Sequence, residues 1–312
     1  MNTVILSFNI IAPLIILLII GYFLRYKGFI STKTISELNN IIYGLLLPIN
    51  LFKNIYQSDF QSDFDLGLII FCIVALLVSI LVIIIITLSL IKEPSKRSAV
   101  IQASFRGNFV IFGLPLAINL YGYGISGMTS IVIAFLVPIS NVCAVICLRL
   151  FNGQKIDFRH VVFDVIKNPM IIAAFIAIVL VISKINLPLF IDESVVMISD
   201  TTTALALILL GATFNFRQEL NDIKMIALGV INKLILVPLL VVIVAVFLNY
   251  RNDHLVVIMT LFTAPVAVSC FPMAARMGAD KEITSGIVVY SYVFCMITIF
   301  IFIIVLKSMH LI

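Results

Sequence analysis

An arginine and an asparagine stand two residues apart in Ser104–Gly122, a stretch that is otherwise mostly apolar. The Arg106 guanidinium could attract an anion, because ionisable groups inside membrane spans are functional candidates. The Asn108 amide can both donate and accept hydrogen bonds, as a carboxylate or carbonyl ligand requires. Each residue also has a simpler interpretation: Arg106 could extend to the membrane surface (snorkel), and Asn108 could link two helices.

Prolines interrupt this stretch and a second one, Thr263–Asp280. Gly113 and Pro115 lie near the middle of the first stretch, and Pro265 lies in the second. Gly often ends a helix and Pro suits the first turn of the next, so we predict two half-helices joined by unwound backbone at Gly113–Pro115. Half-helices that begin at the membrane midplane direct positive dipole ends at a cavity, which favours an anion. A kinked but continuous helix is the alternative for either proline alone.

Three further polar residues lie within apolar segments. Asn141 and Asn50, which is close to Pro48, have the same two interpretations as Asn108. Lys233 is expected to snorkel to the membrane surface.

Motifs for catalysis or for cofactor binding are absent from the sequence. It has no HExxH, GxSxG, Walker or CxxC motif, and its three histidines fall in predicted loops. Gly122, Gly124 and Gly127 spell GxGxxG, but no strand precedes them, so a tight loop is predicted there. We therefore expect no enzyme activity, no cofactor, no metal site and no nucleic-acid partner.

The composition indicates which structure must position the polar residues. Hydrophobic residues make up 62% of the 312 residues and charged residues only 11%, which is typical of a polytopic membrane protein and excludes an ordinary soluble enzyme. A membrane-spanning helix needs about 20 apolar residues. Ten such segments can be placed, near residues 4–24, 36–57, 66–91, 98–120, 126–150, 168–187, 195–214, 225–248, 255–276 and 283–306.

The distribution of Lys and Arg predicts the orientation of these spans. One set of alternate loops holds fourteen of these residues and the other set holds four. Because cytoplasmic loops are enriched in Lys and Arg, we expect a multi-pass protein of the cytoplasmic membrane with both termini outside.

The spacing of prolines suggests an internal repeat. Pro13 and Pro169 open spans one and six, and Pro115 and Pro265 interrupt spans four and nine. Five spans in each half force the halves into opposite orientations, as in many secondary transporters. We predict a first repeat at 1–150, a cytoplasmic linker at 151–167 and a second repeat at 168–312.

The sequence resembles the auxin efflux carrier family, which includes plant PIN-type auxin carriers and bacterial carriers of malate or malonate. The resemblance covers nearly the whole chain. It rests on five segments in order: Gly21–Phe52; NFVIFGLP, from Asn108 to Pro115; the Asn168-Pro169 pair; LALILLGATF, from Leu205 to Phe214; and Ala264–Asp280.

The resemblance implies an all-α membrane protein of ten helices in two inverted five-helix repeats, with broken helices 4 and 9 crossing at their centres. It implies a substrate site at that crossing, with Asn108, Pro115 and Pro265 carried over directly. Asn168 is carried over as a polar residue of the scaffold, with helix capping as the alternative, and Asn141 and Asn50 less directly. Spans one, two, six and seven would form a scaffold, often dimeric, and the other spans would move like an elevator. The long cytoplasmic loop of many plant carriers is missing.

The sequence thus predicts a secondary transporter for a small organic anion such as a carboxylate, within a lipid bilayer. A homodimer and a coupling H+ or Na+ are open possibilities. Two other functions stay open: a sodium-coupled symporter similar to bile-acid carriers, and a channel-like passive pore. The first would need acidic and polar sodium ligands near the crossing. Spans four and nine contain no carboxylate before Asp280, which argues against sodium coupling but leaves sites made of backbone carbonyls open.

Overall fold

The computed structural model describes residues 3–57, 63–152, 167, 169–213 and 222–312. Within these ranges the chain is built of helices, with one isolated β-bridge and no strand. The main helices are α1 (Thr3–Tyr26), α2 (Thr32–Tyr56), α3 (Leu66–Leu90), α4 (Pro94–Phe105), α5 (Phe109–Tyr121), α6 (Ser126–Phe151), α7 (Pro169–Ile182), α8 (Leu189–Thr213), α9 (Ile223–Phe247), α10 (Asn252–Thr263), α11 (Cys270–Arg276) and α12 (Lys281–Ser308).

Six helices of the described chain are long and apolar enough to cross a membrane. They are α2, α3, α8, α9, α12, and α6 with the preceding turn. At 1.5 Å per residue, a helix of 25 residues exceeds the roughly 30 Å of a hydrocarbon core. Shorter apolar stretches are Ala12–Tyr26 within α1, Phe109–Tyr121 (α5) and Pro169–Ile182 (α7). The all-α class is confirmed for the described residues, and the count of ten spans stays a prediction.

The fourth and ninth predicted spans are each interrupted. Helix α4 ends at Phe105 and α5 begins at Phe109, while α10 ends at Thr263 and α11 begins at Cys270. The two interruptions pair with each other through an antiparallel bridge between Gly107 and Val266. These paired interruptions are called the crossover below.

The interruption in the fourth span does not lie at Gly113–Pro115, where the sequence predicted it. Pro115 follows a five-residue π-helix, Phe109–Gly113, and stands in the first turn of an uninterrupted α-helix. The same pattern precedes Pro48 and Pro238. A wider π-turn makes room for a proline ring and for its missing N–H, so the helix continues through it. Pro265, by contrast, lies within its interruption, as predicted.

The helices pack in two groups. Helices α1, α2, α7 and α8, which form predicted spans one, two, six and seven, pack in series: α1 contacts α8, α8 contacts α2, and α2 contacts α7. Helices α1 and α8 pack closely at two glycines: a Cβ atom at Gly21 would lie 1.7 Å from the Ile208 carbonyl oxygen, and one at Gly211 would lie 1.9 Å from that of Leu18. The other helices surround the crossover. The predicted linker 151–167 lies outside the described residues, apart from 151, 152 and 167.

Candidate functional site

A cavity of about 230 Å³ lies beside the crossover, between the two groups of helices. Its walls come from α2, the crossover, the first turn of α5, the middle of α6 and the start of α7. The polar side chains in its wall are Tyr43, Arg106, Asn108, Ser140, Asn141 and Ser269. Most of the other lining residues are apolar.

The Arg106 side chain turns into the protein. The residue is only 6% exposed. Its guanidinium donates to Asn141 Oδ1 at 2.5 Å and to Ser269 Oγ at 3.1 Å, and it contacts Met273 Sδ at 3.0 Å. Arg106 therefore does not snorkel. Its hydrogen bonds join the first interruption of the crossover to α6 and to Ser269 in the second interruption.

The partners of Arg106 are all uncharged. None of the cavity-lining residues is Asp or Glu, and within the described chain no acidic side chain forms an ion pair with Arg106. A buried charge is normally paired, because its removal from water is costly. The cavity therefore has a net positive wall that suits a small anion.

Asn108 forms part of the crossover. Its backbone N–H donates to the Pro265 carbonyl at 2.8 Å, and Ala267 N–H donates to the Arg106 carbonyl at 3.0 Å. The Asn108 amide nitrogen donates to the Tyr292 hydroxyl at 2.5 Å, and its Oδ1 accepts from Ile111 N–H at 3.3 Å. The side chain thus caps the first turn of α5. The interpretation of Asn108 as a link between helices is confirmed, since Tyr292 belongs to α12.

Lys233 is fully buried, so the expectation that it snorkels is wrong. Its ammonium donates to the Phe262 carbonyl in the last turn of α10, at 2.9 Å. A Cβ atom at Gly107 would lie 3.2 Å from Lys233 Nζ and 2.5 Å from the Phe109 ring. Gly107 therefore leaves room for Lys233 behind the crossover.

The predicted site residues separate into two sets. Arg106, Asn108 and Asn141 line the cavity, and Pro265 is hydrogen-bonded in the crossover. Pro115 is buried in α5 and does not line the cavity.

The other two predicted asparagines are not part of this cavity wall. Asn50 is buried between α2 and α8, where its Oδ1 accepts hydrogen bonds from Ser199 Oγ at 2.9 Å and from Asn54 Nδ2 at 3.0 Å. Its place is in the packing between helices. Asn168 lies outside the described residues.

Sequence reasoning missed three residues that form hydrogen bonds with the crossover: two in α12 and one within the crossover itself. Tyr292 binds Asn108, and Ser291 Oγ accepts from Val266 N–H at 3.0 Å. Ser269 binds Arg106. Ser291 and Tyr292 could have been identified from the sequence, because they are adjacent polar residues in the middle of the tenth apolar segment. Nothing in the sequence alone identifies their partners, which are more than 20 residues away.

Comparisons with known proteins agree with a role in transport. A family model described as "Membrane transport protein" matches residues 6–303. The uncharacterized transporter YfdV of Escherichia coli K12 is 24% identical over 276 residues, which is 85% of this chain and 86% of the relative. The YfdV proteins of Escherichia coli O157:H7 and Shigella flexneri match to the same extent.

Proposed function

Because this chain belongs to the auxin efflux carrier family of membrane transport proteins, we propose that it is a secondary carrier for a small organic anion. The anion binds in the cavity beside the crossover. It is held there by the Arg106 guanidinium and oriented by the Asn141 amide.

One observation carries this proposal: Arg106 is a buried cation in a cavity wall that contains no acidic side chain. A hydrogen bond to a charged group contributes more than one between neutral groups. An entering carboxylate can form an ion pair with Arg106, in which both the donor and the acceptor are charged, whereas Asn141 and Ser269 offer Arg106 only neutral acceptors. A neutral or cationic ligand gains nothing comparable.

The size and walls of the cavity support a small substrate with an apolar part. Pockets for drug-sized ligands measure roughly 300–1,000 Å³, and this cavity measures about 230 Å³. Leu47, Val110, Ile111 and Val137 provide apolar contacts around the polar side.

The packing of the helices supports an alternating-access cycle of the elevator type. The cavity lies between the group formed by α1, α2, α7 and α8 and the group that carries the crossover. We take the first group as the scaffold and the second as the moving part. The ten-span plan with two inverted repeats, both termini outside and a dimeric scaffold belongs to this proposal.

Thermal unfolding of the purified protein tests the proposal. The ligands are a panel of small carboxylates, including malate, malonate and an indole carboxylate, with neutral amino acids for comparison. A ligand at 100 times its Kd stabilises the folded state by about 2.7 kcal/mol. We expect a saturable shift from at least one carboxylate with the wild type, and none with Arg106→Gln.

Asn50→Ala is the matched control, because Asn50 is buried but does not line the cavity. It should lower the unfolding temperature without ligand and leave the half-saturating carboxylate concentration unchanged. The proposal is wrong if Arg106→Gln binds the same carboxylate as tightly as the wild type. If the wild type binds a carboxylate as expected, uptake of that carboxylate into proteoliposomes is measured next. Saturable uptake indicates a carrier, and non-saturating uptake indicates a passive pore.

A further inference from the structure

The carbonyl end of α10 lacks the usual backbone cap. The last carbonyls of a helix have no partner within the helix and are commonly capped by the N–H groups that follow. Here the helix ends at Thr263, Ala264 forms no capping hydrogen bond in the described structure, and Pro265 has no N–H to offer. The end of α10 therefore needs a donor from elsewhere in the protein.

Lys233 provides that donor. Its Nζ donates to the Phe262 carbonyl at 2.9 Å, and the residue has no exposed surface. Carbonyl groups at a helix C-terminus carry partial negative charge and attract cations. A buried carbonyl end of this kind is the sort of group that also binds metal cations in transporters whose helices are broken.

The surroundings of Lys233 leave room for its side-chain nitrogen beside the end of α10. The π-helix Asn232–Leu236 carries the residue, and the absence of a side chain at Gly107 leaves space around Nζ. Within the described chain, no acidic side chain forms an ion pair with Lys233. The carbonyl end of α10 is thus the negative partner that the structure gives to this cation.

We propose that Lys233 is a resident cation of the crossover: its ammonium fills the cation position at the carbonyl end of α10, so that this position takes no metal ion from solution. Lys233 is a positioning residue, since its hydrogen bond joins α9 to the end of α10 and it does not line the cavity. A sodium ion at the same carbonyl end would be repelled by the ammonium, and in the part of the chain that the structure describes no carboxylate is paired with Lys233 there. The inference does not depend on the substrate.

Thermal unfolding of purified variants without substrate tests the inference. Lys233→Ala removes three methylene groups and the ammonium, which together correspond to n-propylammonium. We expect its Tm to fall by about 5 °C or more. Added n-propylammonium chloride should restore part of that loss with saturation, relative to choline chloride at the same concentration. Lys233→Met keeps most of the volume without the charge, so it should be destabilised and should not respond to the amine.

Two controls make the outcome decisive. Lys224→Met makes the same substitution at an exposed position of the same helix and should leave the Tm within about 1 °C of the wild type. The wild type should show the same Tm in sodium chloride and choline chloride. Saturable stabilisation of the wild type by sodium, or a Lys233→Met Tm equal to that of the wild type, would overturn the inference. The sodium titration decides the matter even if Lys233→Ala fails to fold.

Discussion

The guanidinium of Arg106 donates a hydrogen bond to Oδ1 of Asn141 at 2.5 Å, across the wall of the crossover cavity. The two residues are 35 positions apart, one in the interruption between α4 and α5 and the other in α6. The neutral Asn141 amide thus holds the Arg106 side chain in position without neutralising its charge. In the proposed function, this arrangement leaves the charge of Arg106 available to an anionic substrate.

Replacing the neutral Asn141 side chain by a carboxylate should weaken the binding of an anionic ligand. In Asn141→Asp, the new carboxylate would pair with Arg106 at nearly the same distance and compete with any anionic ligand. We expect the Kd for the best carboxylate to rise at least about tenfold, or about 1.4 kcal/mol. Isothermal titration of the purified variant measures this change. Asn141→Ala is the comparison, because it removes the amide without adding a charge, and its loss of affinity should be smaller.

Asn108 and Tyr292 should be coupled in stability. Asn108→Ala removes an N-cap, which costs about 0.5–2 kcal/mol, and one buried hydrogen bond to Tyr292, which contributes about 0.5–1.5 kcal/mol. Tyr292→Phe removes only the hydrogen bond. A double-mutant cycle on the free energy of unfolding should give a coupling of about 1 kcal/mol. Additive effects of the two substitutions would contradict the direct contact.

Tight packing between α1 and α8 should make their glycines intolerant of a methyl group. Gly211→Ala places a Cβ atom 1.9 Å from the Leu18 carbonyl oxygen, so the helices must separate. We expect loss of the folded protein in detergent, seen as aggregation in size-exclusion chromatography. Gly44→Ala is the matched control, because no atom lies within 4 Å of a Cβ atom built there. A well-folded Gly211→Ala protein would show that this contact is looser than described.

Asp65 should make stability depend on acid pH. It accepts a hydrogen bond from Leu68 N–H at 3.0 Å as the N-cap of α3, and it contacts His254 Nε2 at 2.9 Å. The hydrogen bond from Leu68, and then that from His254, lower the pKa of this carboxyl from its ordinary 3.8.

The sign of the effect follows from that shift. A lowered pKa in the folded state means that ionised Asp65 stabilises the protein above about pH 4, and that this contribution is lost as the pH falls through the lowered pKa. Asp65→Asn should unfold at a lower temperature than the wild type at pH 7, and the difference should shrink towards pH 3. Unfolding temperatures recorded between pH 3 and 8 check this. A difference that is constant with pH would assign the effect to capping geometry alone.

Local sequence signals identified several residues of the candidate site, but they did not predict the conformation of the backbone that carries them. Arg106, Asn108 and Pro265 were identified because polar residues and prolines are unusual inside apolar segments, and the structure brings all three to the crossover. The break at Pro115 was predicted wrongly, since proline can be accommodated either by unwinding or by a π-turn. Choosing between them depends on the surrounding helices.

The burial of Lys233 is a second property that the local sequence could not predict. From the sequence it is a lysine among apolar residues, and the usual outcome for such a residue is snorkelling. Burial became favourable because the uncapped end of α10 lies within reach of its ammonium, 29 residues away. Such a partner exists only once the helices have packed.

By itself, the sequence determined that this is a helical membrane protein in which two of the apolar segments contain polar residues and prolines. Those properties follow from composition and from the length of apolar segments, which act locally and do not depend on how helices are arranged. The tertiary structure alone decided that the two interruptions pair at Gly107 and Val266, that Asn50 lies in helix packing, and that Arg106 faces a cavity with only neutral partners. The physical reason is that hydrogen-bond partners and burial depend on contacts between segments that lie far apart in the chain, and local patterns contain no information about those contacts.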